Sequence, residues 1–162
     1  MQEWGKRPIE VASLFNPVFC SVLIRDSIKG FQSEQPNGMN YVLIYLVLPI
    51  VLHKATRDRL PKAITVKMHS WLNQNRELRI QFPERVRNIN SITKEGLMYG
   101  LQTGLFSIDD QARFKVTDKK IKLSWKSDTE PFMCSKKAEF IGRWLAQAGD
   151  SKTIFHMWGV RP

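Results

Sequence analysis

The sequence predicts a mainly α single domain over residues 1–162 with a small β hairpin, an α+β chain whose helical domain carries a winged-helix-like part. Three observations predict it. Apolar residues recur with a helical period through most of residues 16–103 and again over 132–158. The period drops to two just after Gly104. Prolines and glycines punctuate the segments where helices must begin and end.

Residues 1–15 read as irregular. Asn16-Pro17 is a helix start, because Asn caps free backbone N–H groups and Pro tolerates the first helical position. Val18, Cys20, Leu23, Ile24, Ile28 and Phe31 then follow the helical period to about residue 32. After the turn at 33–38, a second helix covers about 39–54. It is apolar nearly all round, which demands burial on most sides, and Pro49 should kink or split it. Thr65 caps a short helix at 66–73, with Met68, Trp71 and Leu72 on one side. Two further helical stretches follow at 76–89 and 91–103, and Gly104 suits the cap of the second.

Residues 105–108 and 112–116 alternate like strands around Asp109-Asp110-Gln111, and Ile121-Lys122-Leu123-Ser124-Trp125 alternates as a third. Residues 62–126 therefore follow the order of a winged helix, with helices in 65–103 and a wing in 105–125. A last long helix covers about 132–148. Gly149 ends it, and Asp150 caps a short helix over 151–158.

The chain has 162 residues, 43% apolar and 25% charged, which excludes a disordered chain. Two cysteines exclude a disulfide scaffold and a Cys-based zinc cluster. Both lie among apolar residues and read as buried thiols of a reduced compartment. The longest apolar run, residues 41–52, is too short to cross a bilayer, which takes about 20 residues as a helix. The polar start carries no signal peptide, and the expected location is the cytoplasm.

The net charge of +10 is uneven. Residues 1–60 hold 7 basic and 5 acidic residues, and residues 61–162 hold 18 and 10. Arg76, Arg79, Arg85 and Arg87 lie in the helical stretch, and Lys115, Lys119, Lys120, Lys122 and Lys126 lie on or beside the wing. Such a set fits phosphate contact by a winged helix, a solvated basic face or an acidic protein partner. No set of base-reading side chains stands out, so any double-stranded DNA contact would be sequence-independent.

Catalytic patterns are missing. There is no Gly-Lys-Ser/Thr phosphate loop and no Gly-x-Ser-x-Gly elbow. His53, His69 and His156 are too scattered for a helical zinc site. Asp118-Lys119-Lys120 has the Asp-x-Lys spacing of some nucleases, but with Asp109 and Asp110 it reads as turn chemistry. No metal, cofactor or enzymatic activity is expected. Gly96, Gly100 and Gly104 form a smooth stripe suited to close approach of another helix. Trp4, Phe15, Phe19, Trp144, Phe155 and Trp158 crowd short or terminal stretches, and the expectation is that some face a partner protein.

Several segments together resemble a known family. They are Arg7-Pro8-Ile9-Glu10-Val11-Ala12 with Leu14-Phe15-Asn16-Pro17-Val18-Phe19, then Leu48-Pro49-Ile50-Val51-Leu52-His53-Lys54 with Thr56-Arg57 and Leu60-Pro61. The end adds Gly142-Arg143-Trp144-Leu145-Ala146, Ala148-Gly149-Asp150, Thr153-Ile154-Phe155 and Gly159-Val160-Arg161-Pro162. The pattern resembles the middle component of bacterial three-component ABC systems, and it spans nearly the whole chain. The resemblance implies a trio of an SMC-like ABC ATPase, a small middle subunit and a variable effector, often a nuclease. It also implies kinship with the small third subunit of Lamassu anti-phage and anti-plasmid defence. It brings no catalytic residues with it. The competing reading is a free-standing winged-helix DNA-binding regulator.

Overall fold

The computed structural model describes residues 15–123 and 125–161. Helix α1 runs Pro17–Glu34. Asn16 Oδ1 accepts the Val18 N–H at 2.8 Å, and Pro17 sits in the first turn. A two-residue strand β1, Met39–Asn40, leads into α2, Tyr41–Val51, where Asn40 repeats the Asn16 cap on Val42. Pro49 lies inside α2 without breaking it. It sits in the last turn, where its missing N–H frees only one carbonyl. The split comes later, at Leu52–His53, before α3, Lys54–Arg59.

Helices α4, Met68–Gln74, and α5, Arg76–Ile80, are short. Helix α6 is continuous over Phe82–Gln102, rather than two stretches at 76–89 and 91–103. Pro83 falls in its first turn, where proline is tolerated, and nothing near residue 90 interrupts it. Thr103 and Gly104 close α6. Gly104 has φ +75°, and the Leu105 N–H reaches back to the Gly100 carbonyl at 2.9 Å.

Strands β2, Phe106–Ile108, and β3, Arg113–Val116, form the expected hairpin. The sheet order is β1-β3-β2 and all pairs are antiparallel, with Met39 opposite Phe114. The third strand is therefore β1 and not residues 121–125, whose described members carry no strand or helix assignment. Helix α7, Glu130–Ala146, and helix α8, Ser151–Met157, complete the chain. Asp150 caps α8 by accepting the Thr153 N–H at 2.7 Å.

The core sits around α1, which packs chiefly on α7 and then on α6. Gly30 and Gly142 set the α1–α7 approach. A Cβ on Gly142 would lie 1.9 Å from the Ser27 carbonyl oxygen, and one on Gly30 would lie 2.1 Å from that of Glu139. The glycine stripe on α6 works only in part as a helix contact. Gly96 faces Cys20 and Ile24 of α1, whereas Gly100 faces the Phe106 ring of β2 and Gly104 faces nothing within 4 Å.

Residues 62–126 pack against elements outside that range. Helix α6 packs on α1 and α2, outside that range, more than on α5, and β1 supplies one edge of the sheet.

Candidate functional site

The sequence signals at residues 48–61 resolve into a structural clamp. His53 caps α3. Its Nδ1 lies 3.3 Å from the Thr56 N–H and 2.7 Å from Thr56 Oγ1. Burial, with Arg85 and Arg57 nearby, pulls its pKa below the usual imidazole value, which suits this accepting role. Arg57 is buried. Its Nη1 donates to the Val51 carbonyl at 2.8 Å and its Nη2 to Glu130 Oε1 at 2.8 Å, tying the α2–α3 corner to the start of α7. His69 lies 3.3 Å from the Asn73 amide, and His156 is exposed on α8. Among the described residues, no group of three or more His, Cys, Asp or Glu is placed to hold a metal ion. Cys20 and Cys134 are buried, and burial pushes the Cys134 thiol up, away from reactivity. Asp109 does turn work, its Oδ1 accepting the Gln111 and Arg113 N–H groups at 2.9 and 3.0 Å. Those bonds hold its carboxyl below the usual range.

The basic residues divide into two groups at opposite ends of α6. Arg76, Arg79, Arg85 and Arg87 cluster at its start. Arg79 donates to the His156 carbonyl at 3.3 Å. Arg85 reaches the Pro49 carbonyl at 3.4 Å and lies over the Phe82 ring, so both are partly spent within the fold. Arg76 and Arg87 are exposed. Lys119 donates to the Thr103 carbonyl, which fixes the lysine segment beside the far end of α6. From Arg87 to that end is about 22 Å at the helical rise. Lys115 pairs with Asp109 at 3.8 Å. Lys120, Lys122 and Lys126 are exposed and form no ion pair with any described residue.

The aromatic candidates for a partner interface divide between the core and the surface among the described residues. Trp144, Phe155 and Trp158 are buried in the chain's own core at 1%, 5% and 0% exposure. Trp144 and Trp158 do not compete for space, because both stack on Trp71. Phe140, Trp144, Trp71, Trp158 and Phe82 form a continuous run with successive ring centroids 5.8, 5.4, 6.0 and 4.5 Å apart. Each indole N–H is satisfied inside: Trp144 on the Val66 carbonyl, Trp71 on the Arg59 carbonyl and Trp158 on Met68 Sδ. Phe15 and Phe19 are half-buried, and Phe19 meets Trp125 edge-on at 5.7 Å. Trp4 lies outside the described residues.

Among the described residues, two of the larger grooves draw on the sequence candidates. The first is a groove of about 590 Å³ between α2, the first half of α6 and the C-terminal end. Tyr41, Tyr45, Val86, Phe155 and Val160 give it an apolar lining, and Arg87 and Arg161 make its charge positive. The second is the face formed where Lys120, Ile121, Leu123 and Trp125 meet α1 and α7. Its groove, about 540 Å³, is lined by Arg25, Asp26, Lys120, Leu123, Trp125, Phe132, Ser135 and Lys136. Alternation over 121–125 was the signal for this second face. The first has no local signal, because its residues come from three distant segments.

Asp26 makes the second face pH-dependent. Ser135 Oγ donates to it at 2.6 Å, and Arg25 Nη1 lies 3.9 Å away. Burial nevertheless pushes its pKa up from 3.8 to about 6, with Glu139 adding to the rise. The folded chain thus holds this proton more tightly than the unfolded chain. Its contribution to stability is therefore present below the unfolded value of 3.8 and is lost as the pH rises through about 6. Asp26→Asn keeps an acceptor for Ser135 without the buried charge. It is expected to raise the melting temperature at pH 8 and to flatten the pH dependence between the two values. Melts of both proteins across that pH range check this.

No curated protein and no solved structure matches the chain. No helix among the described residues is long and apolar enough to cross a membrane. A family model described as ABC-three component (ABC-3C) system Middle Component 3 matches residues 4–162. Within the matched span, several of the segments that carry the sequence resemblance do structural work: the Asn16 cap, the His53–Arg57 clamp, the Gly142 helix contact and the Asp150 cap. Matched over that span, the chain belongs to the family of ABC-three component system middle components.

Proposed function

We propose that the chain is a non-enzymatic connecting subunit. It links an SMC-like ABC ATPase to an effector, often a nuclease, in a defence complex of the Lamassu kind. One observation supports this above all: two grooves that share no lining residue, one on α2, the first half of α6 and residues 155–161, the other on α1, α7 and the described residues of 120–125. A connecting subunit needs two separate contact faces. The arginine-flanked apolar groove suits an apolar helix with acidic flanks, through charge complementarity and aromatic anchoring. The lysine-bearing face suits a second, acidic partner.

The test is assembly of the three components with one face altered at a time. Tyr41→Glu with Arg161→Glu should release one component and keep the other. Lys120→Glu with Lys122→Glu should do the reverse. All four positions are exposed, so the melting temperature of the isolated chain should barely move. Retention of both components by both variants would sink the proposal.

Contact with double-stranded DNA would draw on the same lysines and on Arg76 and Arg87. The hairpin tip works against it, because Asp109 and Asp110 stand where a wing would meet phosphates. A free-standing winged-helix regulator is disfavoured for the same reason and by the packing of α6 on α1 and α2.

A further inference from the structure

Three walls frame the groove beside the start of α6. On α6, Pro83, Val86, Arg87 and Asn90 fall at i, i+3, i+4 and i+7, one face that runs about 10 Å at the helical rise. On α2, Tyr41 and Tyr45 stand one turn apart on one face. The third wall, Val160 and Arg161, is held by the end of α8. Gly159 has φ +72°, and the Val160 N–H returns to the Phe155 carbonyl at 2.9 Å. Arg79 braces the same turn by donating to the His156 carbonyl. The walls are thus fixed before anything binds, which lowers the ordering cost of filling the groove. Tyr45, Val86 and Val160 are half-buried, and Tyr41 is 45% exposed. Among the described residues no acidic side chain lines the groove, and both of its arginines are exposed.

We propose that this groove takes a short amphipathic helix of another component, with apolar anchors at i, i+3 or i+4 and i+7 and carboxylates at its ends, and that such a segment binds without the rest of its protein. The proposal deepens the connecting role above and rests on it. Two helix faces side by side leave a furrow that a third helix can fill. That helix satisfies its own backbone hydrogen bonds, so it asks for none from walls that are themselves helical. Its anchors cover Tyr41, Tyr45, Val86 and Val160, and its carboxylates meet Arg87 and Arg161. Duplex DNA fits less well, because its phosphates would match the arginines and leave the apolar lining uncovered. A second copy of the chain bound groove to groove would set the same arginines against one another.

The test uses the full chain and a labelled synthetic peptide of about four turns, with Leu at the helical spacing, Ala between and Glu at both ends. The peptide should bind saturably and gain helical circular dichroism as it does. A central Ala→Pro change keeps its charge and its Leu residues but breaks the helix, and should weaken binding roughly tenfold or more. Arg87→Glu with Arg161→Glu in the chain should weaken binding roughly fivefold or more, as two exposed ion pairs are lost. Tyr41→Ala should do the same through a lost aromatic anchor. Equal binding by the proline peptide, equal binding by the arginine variant, or no binding at all would overturn the proposal. So would a chain that dimerises on its own and loses this with Tyr41→Ala, since the groove would then belong to a second copy. Short duplex DNA that displaces the peptide and is itself released by the arginine variant would overturn it too. If the peptide fails while Tyr41→Glu with Arg161→Glu still releases a component, the short helix is wrong and the connecting role stands. If the peptide binds as expected while the assembly ignores both face variants, the groove's preference stands and the connecting role is wrong.

Discussion

Gly142→Ala should destabilise the fold by about 3 kcal/mol or more, at the upper end of overpacking costs. The added methyl would lie 1.9 Å from the Ser27 carbonyl oxygen, 2.7 Å from its carbon and 2.9 Å from the Phe31 nitrogen. All three atoms belong to the α1 backbone, so no side chain can swing aside. The helices must separate along the largest contact in the molecule. Alanine would favour the helix itself by about 1 kcal/mol, which offsets only part of the cost. For a chain of 162 residues the melting temperature should fall by roughly 10 °C. Gly30→Ala attacks the same approach from the other helix, 2.1 Å from the Glu139 carbonyl oxygen, and should have a comparable effect. A fall of less than a degree or two in either variant would mean that α1 and α7 are not held backbone to backbone.

Trp144→Ala should cost about 3–5 kcal/mol, the range for emptying a large buried aromatic site. Its indole is 1% exposed, stands between Phe140 and Trp71 and donates to the Val66 carbonyl at 2.7 Å. Trp144→Phe keeps much of the ring volume and leaves that carbonyl without its donor, so it should cost about 1–3 kcal/mol. Denaturant melts of the isolated chain measure both. Lost association with an unchanged melt would make Trp144 a contact residue instead of a core residue.

The parts of this fold that rest on local chemistry were legible in the sequence. Asn16-Pro17, Gly104 and Asp150 mark helix boundaries because capping needs only neighbours in the chain. The hairpin was legible because the period changed and a turn lay between its strands. What depended on distant partners was not. Residues 121–125 alternate as a strand should, but alternation does not say whether an edge is available. The edge of β3 went to Met39–Asn40, a strand too short to show a period. Gly30 and Gly142 carry no pattern in isolation, because their role exists only where the two helices cross. The aromatic residues misled through volume. Counting large side chains near the ends predicted an overfull core, whereas edge-on and tilted stacking fits Trp71, Trp144 and Trp158 together. For the site, charge pointed to the lysines of residues 119–126 but not to their separation from Arg76 and Arg87 along α6.

The central claim is that two separate faces of one small scaffold meet two different components. Hydrogen exchange of this chain, alone and then saturated with each component singly, tests it most directly. Protection by one component should fall on the groove of Tyr41, Tyr45, Val86 and Val160, and protection by the other on residues 120–126 and the adjoining turns of α1 and α7. Protection of the same face by both components, or of neither face by either, would contradict the account.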